Sequence, residues 1–222
     1  PVPCPGTTVV DGREFENQDQ FDLGTVPFTE AFAQSCNTTF IQQALEIPDP
    51  ALAEAAASYG VGSDWELPVH VYSGTVPSDS TGTTKAANAI GQGEVLMSPA
   101  QLALVAAGVA AGRPKPPVEV IGATAAGADP VGPGEPVLDA LRPLMRQVVL
   151  SGTATALADR GEVYGKTGTA EFGSNTPPDA HGWFMGYRLG GAQGDIAFAV
   201  LVEGGQSSSV AVGVTDAFLG GV

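Results

Sequence analysis

The sequence predicts an α+β fold in which a cluster of helices packs on an antiparallel sheet. Late in the chain three β-prone runs, Val163 to Ala170, Gly182 to Arg188 and Asp195 to Glu203, follow one another with short connections. Connections of that length join antiparallel neighbours, because a parallel pair needs a long crossover. Before and after them lie segments whose apolar residues recur at helical spacing, several opened by capping residues. The chain has 222 residues, 43% hydrophobic and 15% charged, which suits one globular domain with a sizeable core.

Residues Thr7 to Asp22 are polar without a sustained period, and predict an irregular segment wrapped on the surface. Pro27 stands at a first-turn position ahead of Phe28, Ala31 and Phe32, and a second helical stretch starts at Thr38 and runs to Leu45. Ser35-Cys36-Asn37 therefore falls at a helix–helix junction. Asp49-Pro50 reads as an N-cap with proline at the first helical position, and Gly60 closes that helix. Trp65 to Thr84, rich in Ser, Thr, Gly and Pro, predicts a long loop or small hairpin of the kind that borders a groove.

Ser98-Pro99-Ala100-Gln101 has the form of a capping box and opens an almost wholly apolar helix ending near Ala110. A helix apolar all round is expected to be central and buried. Arg113 to Pro136 predicts an irregular excursion, followed by a helix from about Val137 to Leu150 that is bent at Pro143. After the three strands, Ser208 to Leu219 predicts a terminal helix on one sheet face. There is no internal repeat.

Nine Lys and Arg against 24 Asp and Glu give a net charge of -15, which repels phosphate backbones and argues against a nucleic-acid partner. The longest apolar run, Leu102 to Ala111, is too short to span a bilayer. His70 and His181 share no metal-ligand spacing with Cys4 or Cys36, so neither a metal nor another cofactor is expected. The two cysteines can make one disulfide or none.

Lys166-Thr167-Gly168-Thr169, preceded by the β-prone Val163-Tyr164-Gly165, is the most informative stretch. A fixed tetrapeptide arises by accident in a chain of this length with odds on the order of one in a thousand. A phosphate-binding loop is excluded by spacing, since Arg160 stands where its first glycine is required. Ser35-x-Asn37 alone would be an ordinary pair of capping residues, and Lys166 alone an edge-strand lysine. Together they are two of the three active-site motifs of penicillin-binding proteins and serine β-lactamases. The third, Ser-x-x-Lys, is absent: Gly82, Gly112 and Val163 stand three residues before Lys85, Lys115 and Lys166.

The chain resembles the C-terminal part of a penicillin-binding protein transpeptidase domain over nearly its whole length. Ile90-Gly91-Gln92-Gly93 with Met97 to Ala103, Ser151-Gly152-Thr153-Ala154, and His181 to Tyr187 resemble further family segments, in family order. The resemblance implies a penicillin-binding protein/β-lactamase-like fold, incomplete here, whose remaining strands and nucleophile helix lie upstream. It also implies a serine acyl-enzyme formed on the D-Ala-D-Ala end of a peptidoglycan stem peptide, and covalent capture of β-lactam antibiotics.

Within that family Ser35 would relay a proton, Asn37 would orient the substrate, and Lys166 would supply positive field for the terminal carboxylate. Thr167 and Thr169 would bind the carboxylate, Thr169 N–H would donate to the oxyanion, and Gly168 would allow close approach. Glu135 to Asp139 comes near a β-lactamase Glu-x-x-Leu-Asn segment but lies too close to Lys166 and departs at Asp139, which favours transpeptidase over hydrolase. A D,D-carboxypeptidase and a non-catalytic β-lactam sensor are the alternatives. The family works on the outer face of the cell membrane, with an anchor expected upstream and cell-wall synthesis proteins as possible partners. In that oxidising setting Cys4 and Cys36 are expected to be bonded to each other.

Overall fold

The computed structural model describes residues 1–65, 67, 70–118, 130–175 and 177–222. Its centre is an antiparallel sheet of β5 (Glu162–Phe172), β6 (Asp179–Gly191) and β7 (Gly194–Val202), in that order. Alternation along the strands sorts their side chains to two faces. Val163, Phe184 and Phe198 meet Ala211, Val212 and Leu219 of the terminal helix α7 (Ser208–Gly220) on one face. Tyr187 lies on the other, beneath Val109 of α5 (Pro99–Ala111) and Leu138 and Met145 of α6 (Glu135–Leu150).

Packing dominates these contacts. Burying Val212 and Leu219 contributes about 1.5–3 kcal/mol each, whereas the α7 cap, in which Ser207 Oγ accepts from Ser209 N at 3.2 Å, is worth about 1 kcal/mol. The expected α+β architecture of helices on an antiparallel sheet is the one found. The first two strands run longer than the sequence periodicity predicts, since cross-strand pairing extends past the hydrophobic runs to Phe172↔Asp179 and Gly191↔Gly194, while the third keeps its expected nine residues one position earlier.

The N-terminal region departs from expectation. In place of an irregular wrap, β2 (Thr7–Val10) and β3 (Arg13–Glu16) form a hairpin, and β1 (Val2–Cys4) pairs with β4 (Gly24–Val26). The hairpin turns on Asp11-Gly12, both at positive φ (49° and 80°). This is the two-residue turn that Asp-Gly favours because its twist matches the strands it joins. Val10 and Phe15 then pack on Ile41 of α2 (Asn37–Glu46) and Ala86 of α4 (Gly82–Ala89).

Helix α4 also replaces the end of the expected 65–84 loop; Thr75 and Leu96 form an isolated antiparallel bridge. Glu66, Pro68 and Val69, and 119–129 of the expected excursion, lie outside the described residues. Asp49 does not cap α3 (Ala51–Ser58). Its carboxylate accepts from Lys85 Nζ at 2.8 Å, and Lys85, only 7% exposed, requires that counter-charge.

Helix α5 is capped as expected, Ser98 Oγ accepting from Gln101 N at 3.1 Å. The Gln101 side chain does not complete the box, because its carboxamide is engaged by Trp65 Nε1 and the Tyr59 carbonyl. Gln101, Ala106, Gly108 and Val109 are buried, and Leu102 to Val105, Ala107 and Ala110 are half-buried. No position from 101 to 110 is exposed, as expected of a helix apolar nearly all round.

Cys4 and Cys36 are joined by a disulfide with Cα atoms 6.1 Å apart, tying β1 to the junction between α1 (Phe28–Ala33) and α2. The bond spans 32 residues. Closing a loop of this size restricts the unfolded chain by about 3 kcal/mol. Urea titration of the protein with and without reductant should show a stability difference of about that size. Two free thiols in the denatured, unreduced protein would contradict the pairing.

Candidate active site

Ser35 sits where α1 ends. Ser35 N donates to Phe32 O at 3.1 Å and Cys36 N to Ala31 O at 2.9 Å, the pair of bonds that closes a helix in a Schellman motif. The left-handed residue of that motif is usually glycine, and here it is Ser35 with φ 60°. A side chain in that conformation costs about 1–2 kcal/mol. A serine kept where glycine would be cheaper points to use of its hydroxyl.

That hydroxyl accepts from Lys166 Nζ at 2.7 Å, across 131 residues of sequence. The Ser35 side chain therefore does not cap α2; Cys36 occupies the α2 N-cap and its side chain makes no capping bond. Asn37, in the first turn of α2, is half-buried and donates from Nδ2 to Glu16 O at 3.0 Å.

Lys166 projects from β5 on the face that carries Tyr164 and Met185. The residue as a whole is half-buried, but its ammonium end is surrounded by Ser35 Oγ, the Thr167 carbonyl at 3.1 Å and the Phe32 ring at 5.9 Å. Loss of water around it lowers its pKa to about 8. It is a cation at neutral pH that can surrender its proton within the range of enzymatic proton transfer.

The two motifs meet because neighbouring segments lock the α1–α2 junction against the sheet. Thr153 N donates to Ala33 O, the end of α1, at 3.1 Å, and Gln34 Nε2 to Ser151 O at 3.0 Å. A Cβ on Gly152 would run into the Ala33 carbonyl, so only glycine allows this approach. From the same turn Thr153 Oγ1 reaches Thr167 Oγ1 at 2.6 Å. Thr167 is only 6% exposed, and this shared bond aligns its hydroxyl. Gly168 lies across from Trp183, whose Cβ would be 3.3 Å from an added Cβ.

Thr169 is held from three directions. Its hydroxyl accepts from Ser208 N at 3.3 Å and approaches Gln18 Oε1 at 3.4 Å, and its carbonyl accepts from Gln92 Nε2 at 3.1 Å. Thr153, Gln92 and Gln18 are site neighbours that motif reading does not assign. Gln92 and Thr153 fall within segments that carry the family resemblance, whereas Gln18 leaves no local trace. His181 lies apart from the Ser35–Lys166 pair, stacked on Phe172 with Nδ1 accepting from Gly204 N.

A strand-borne Lys-Thr-Gly-Thr facing a Ser-x-Asn junction, on helices packed against an antiparallel sheet, brings together the two motifs that lie far apart in the sequence. A family model for the penicillin binding protein transpeptidase domain matches residues 2–219, and the chain belongs to that family. It is 30% identical over 231 residues to the peptidoglycan D,D-transpeptidase PbpA of Mycobacterium tuberculosis, an alignment that covers 96% of this chain and 45% of the relative.

Among solved structures it is similar to penicillin-binding protein A from M. tuberculosis in an imipenem acyl-enzyme complex, with TM-score 0.78, 26% identity, and 99% and 54% of the two chains covered. It is also similar to a chain of a peptidoglycan synthase complex that coordinates polymerization and crosslinking, with TM-score 0.77, 27% identity, and 97% and 40% covered. The chain thus spans about half the length, or less, of the proteins it matches.

Proposed function

We propose that the protein to which this chain belongs is a peptidoglycan D,D-transpeptidase, and that the chain is the C-terminal portion of its transpeptidase domain. The observation that carries this reading is the 2.7 Å contact between Lys166 Nζ and Ser35 Oγ. In this reading the nucleophile is the serine of a Ser-x-x-Lys segment outside the sequence. It attacks the D-Ala-D-Ala amide carbonyl, D-Ala leaves with a proton, and the amine of a second stem peptide resolves the ester.

Ser35 both accepts and donates, so it passes the proton toward the leaving amine while Lys166 holds it in place. Asn37 offers its amide to the substrate backbone. The Lys166 charge and the Thr167 and Thr169 hydroxyls receive the terminal carboxylate, and Thr169 N–H donates to the oxyanion. Gly168 keeps the strand open to close approach. None of these roles uses a cofactor.

A β-lactam, whose strained amide stands in for the scissile one, acylates the same serine. The acyl-enzyme named for the M. tuberculosis relative supports this. The similarity to a peptidoglycan synthase complex supports partners in cell-wall synthesis, and membership of the transpeptidase family supports a position on the outer face of the membrane. Among the described residues no helix is long and apolar enough to cross a bilayer, so in this reading the anchor lies elsewhere in the protein.

The test is to incubate one sample of the complete protein with a fluorescent penicillin, and a separate, unlabelled sample with a stem-peptide donor and an amine acceptor. Labelling and transfer to the amine are expected. Labelling with D-Ala released but the peptidyl group passed to water and never to the amine would make it a carboxypeptidase, and labelling without turnover a sensor.

A further inference from the structure

In the described sheet β5 is an edge strand, so the backbone groups along its outer side have no strand to satisfy them. In antiparallel pairing the N–H and C=O of one residue point to the same side. The Thr169 carbonyl accepts from Gln92 Nε2 at 3.1 Å, from outside the sheet. The Thr169 N–H, which the transpeptidase reading assigns to the oxyanion, therefore faces the same outer edge.

Gln92 is held for this contact by its own loop. Helix α4 closes in a Schellman motif in which Gly91 N donates to Asn88 O at 3.0 Å and Gln92 N to Ala87 O at 3.0 Å, with Gly91 at φ 75°. Next in the chain, Glu94 N donates to Asn88 Oδ1 at 2.8 Å, and a Cβ on Gly93 would meet that same oxygen. Asn88 is 2% exposed and is itself fixed by donating to Ser80 Oγ at 2.7 Å. The carboxamide thus issues from a rigid backbone and bonds a strand 77 residues away.

We propose that Gln92 is a positioning residue for acylation: by clamping the Thr169 carbonyl it fixes the backbone torsions of Thr169 and so the direction of that residue's N–H. An oxyanion donor acts only when aimed before the charge develops, and an unbraced edge strand would have to be ordered during the reaction. The clamp does not touch the ligand. Its loss should therefore appear in the chemical step and not in the first encounter.

This inference rests on the transpeptidase reading, and the experiment separates the two. Stopped-flow reaction of the complete protein with a fluorescent penicillin yields a dissociation constant for the non-covalent complex and a rate constant for acylation. For Gln92→Met, of similar length but with no donor, the acylation constant should fall about five- to tenfold while the dissociation constant stays within about twofold, the scale of one uncharged hydrogen bond. Gln92→Glu, which as a carboxylate can only accept, should show the same split.

Acylation unchanged in both variants, or acylation and binding falling in parallel with the melting temperature, would overturn the positioning role. An unaltered protein that takes no label overturns the transpeptidase reading and this role with it. Normal labelling of the unaltered protein with no split in either variant overturns this role alone.

Discussion

Replacing Lys166 by alanine in the complete protein should slow acylation by a fluorescent penicillin about a hundredfold or more, the scale of removing one preorganised electrostatic group. Two losses combine in that variant. The proposed carboxylate subsite loses its positive charge, and Ser35 Oγ loses the donor that holds it at 2.7 Å. Single-turnover labelling measures the effect; undiminished labelling would remove Lys166 from the mechanism.

The same side chain sets a pH dependence. Its pKa of about 8 is low because burial penalises the charged form. If the ammonium is the working state, acylation is fully supported below that pH and declines as pH rises through about 8. Lys166→Arg keeps the charge across this range, so whatever activity it retains should not decline there. A wild-type rate that rises through pH 8 would make neutral Lys166 the active form.

The second large effect is all-or-none: this polypeptide alone should form no covalent adduct with penicillin. A hydroxyl is a poor nucleophile at neutral pH unless a base takes its proton. Ser35 has Thr38, not lysine, three residues on, and its Oγ accepts a hydrogen bond from Lys166 Nζ instead of handing a proton to a base. Intact-mass spectrometry after incubation and denaturation should show the unmodified mass. A stoichiometric adduct on Ser35 or any other serine would place the nucleophile within these 222 residues. Supplying the Ser-x-x-Lys segment, in the same chain or as a separate one, should restore labelling.

The parts of the molecule legible in the sequence are those whose signal is local. The strand β5 announces itself by β-prone residues leading into Lys166-Thr167-Gly168-Thr169. Helix α5 does so by its Ser98 cap and α7 by its apolar spacing. The hairpin of β2 and β3 also has a local signal, Asp11-Gly12, but its flanking strands are only four residues each and half polar, so hydrophobic periodicity is silent there. Helix α4 contains Gly82, two threonines and Asn88, weak helix formers, and owes its place to Ala86 and Ala87 packing beneath Val10 and Phe15.

The Ser35-x-Asn37 and Lys166-Thr167-Gly168 motifs, the lack of a Ser-x-x-Lys partner and the helix-then-sheet order were determined by sequence alone, because each depends on residue type at short spacing. What only the tertiary structure decided is the left-handed backbone at Ser35, its contact with Lys166, the Thr153–Thr167 pair and the Gln92 clamp on Thr169. The contacts join residues 131, 14 and 77 positions apart. Hydrogen bonds of that kind are set by how α1, α4 and the 151–153 turn dock on one edge strand, and no local pattern encodes the docking.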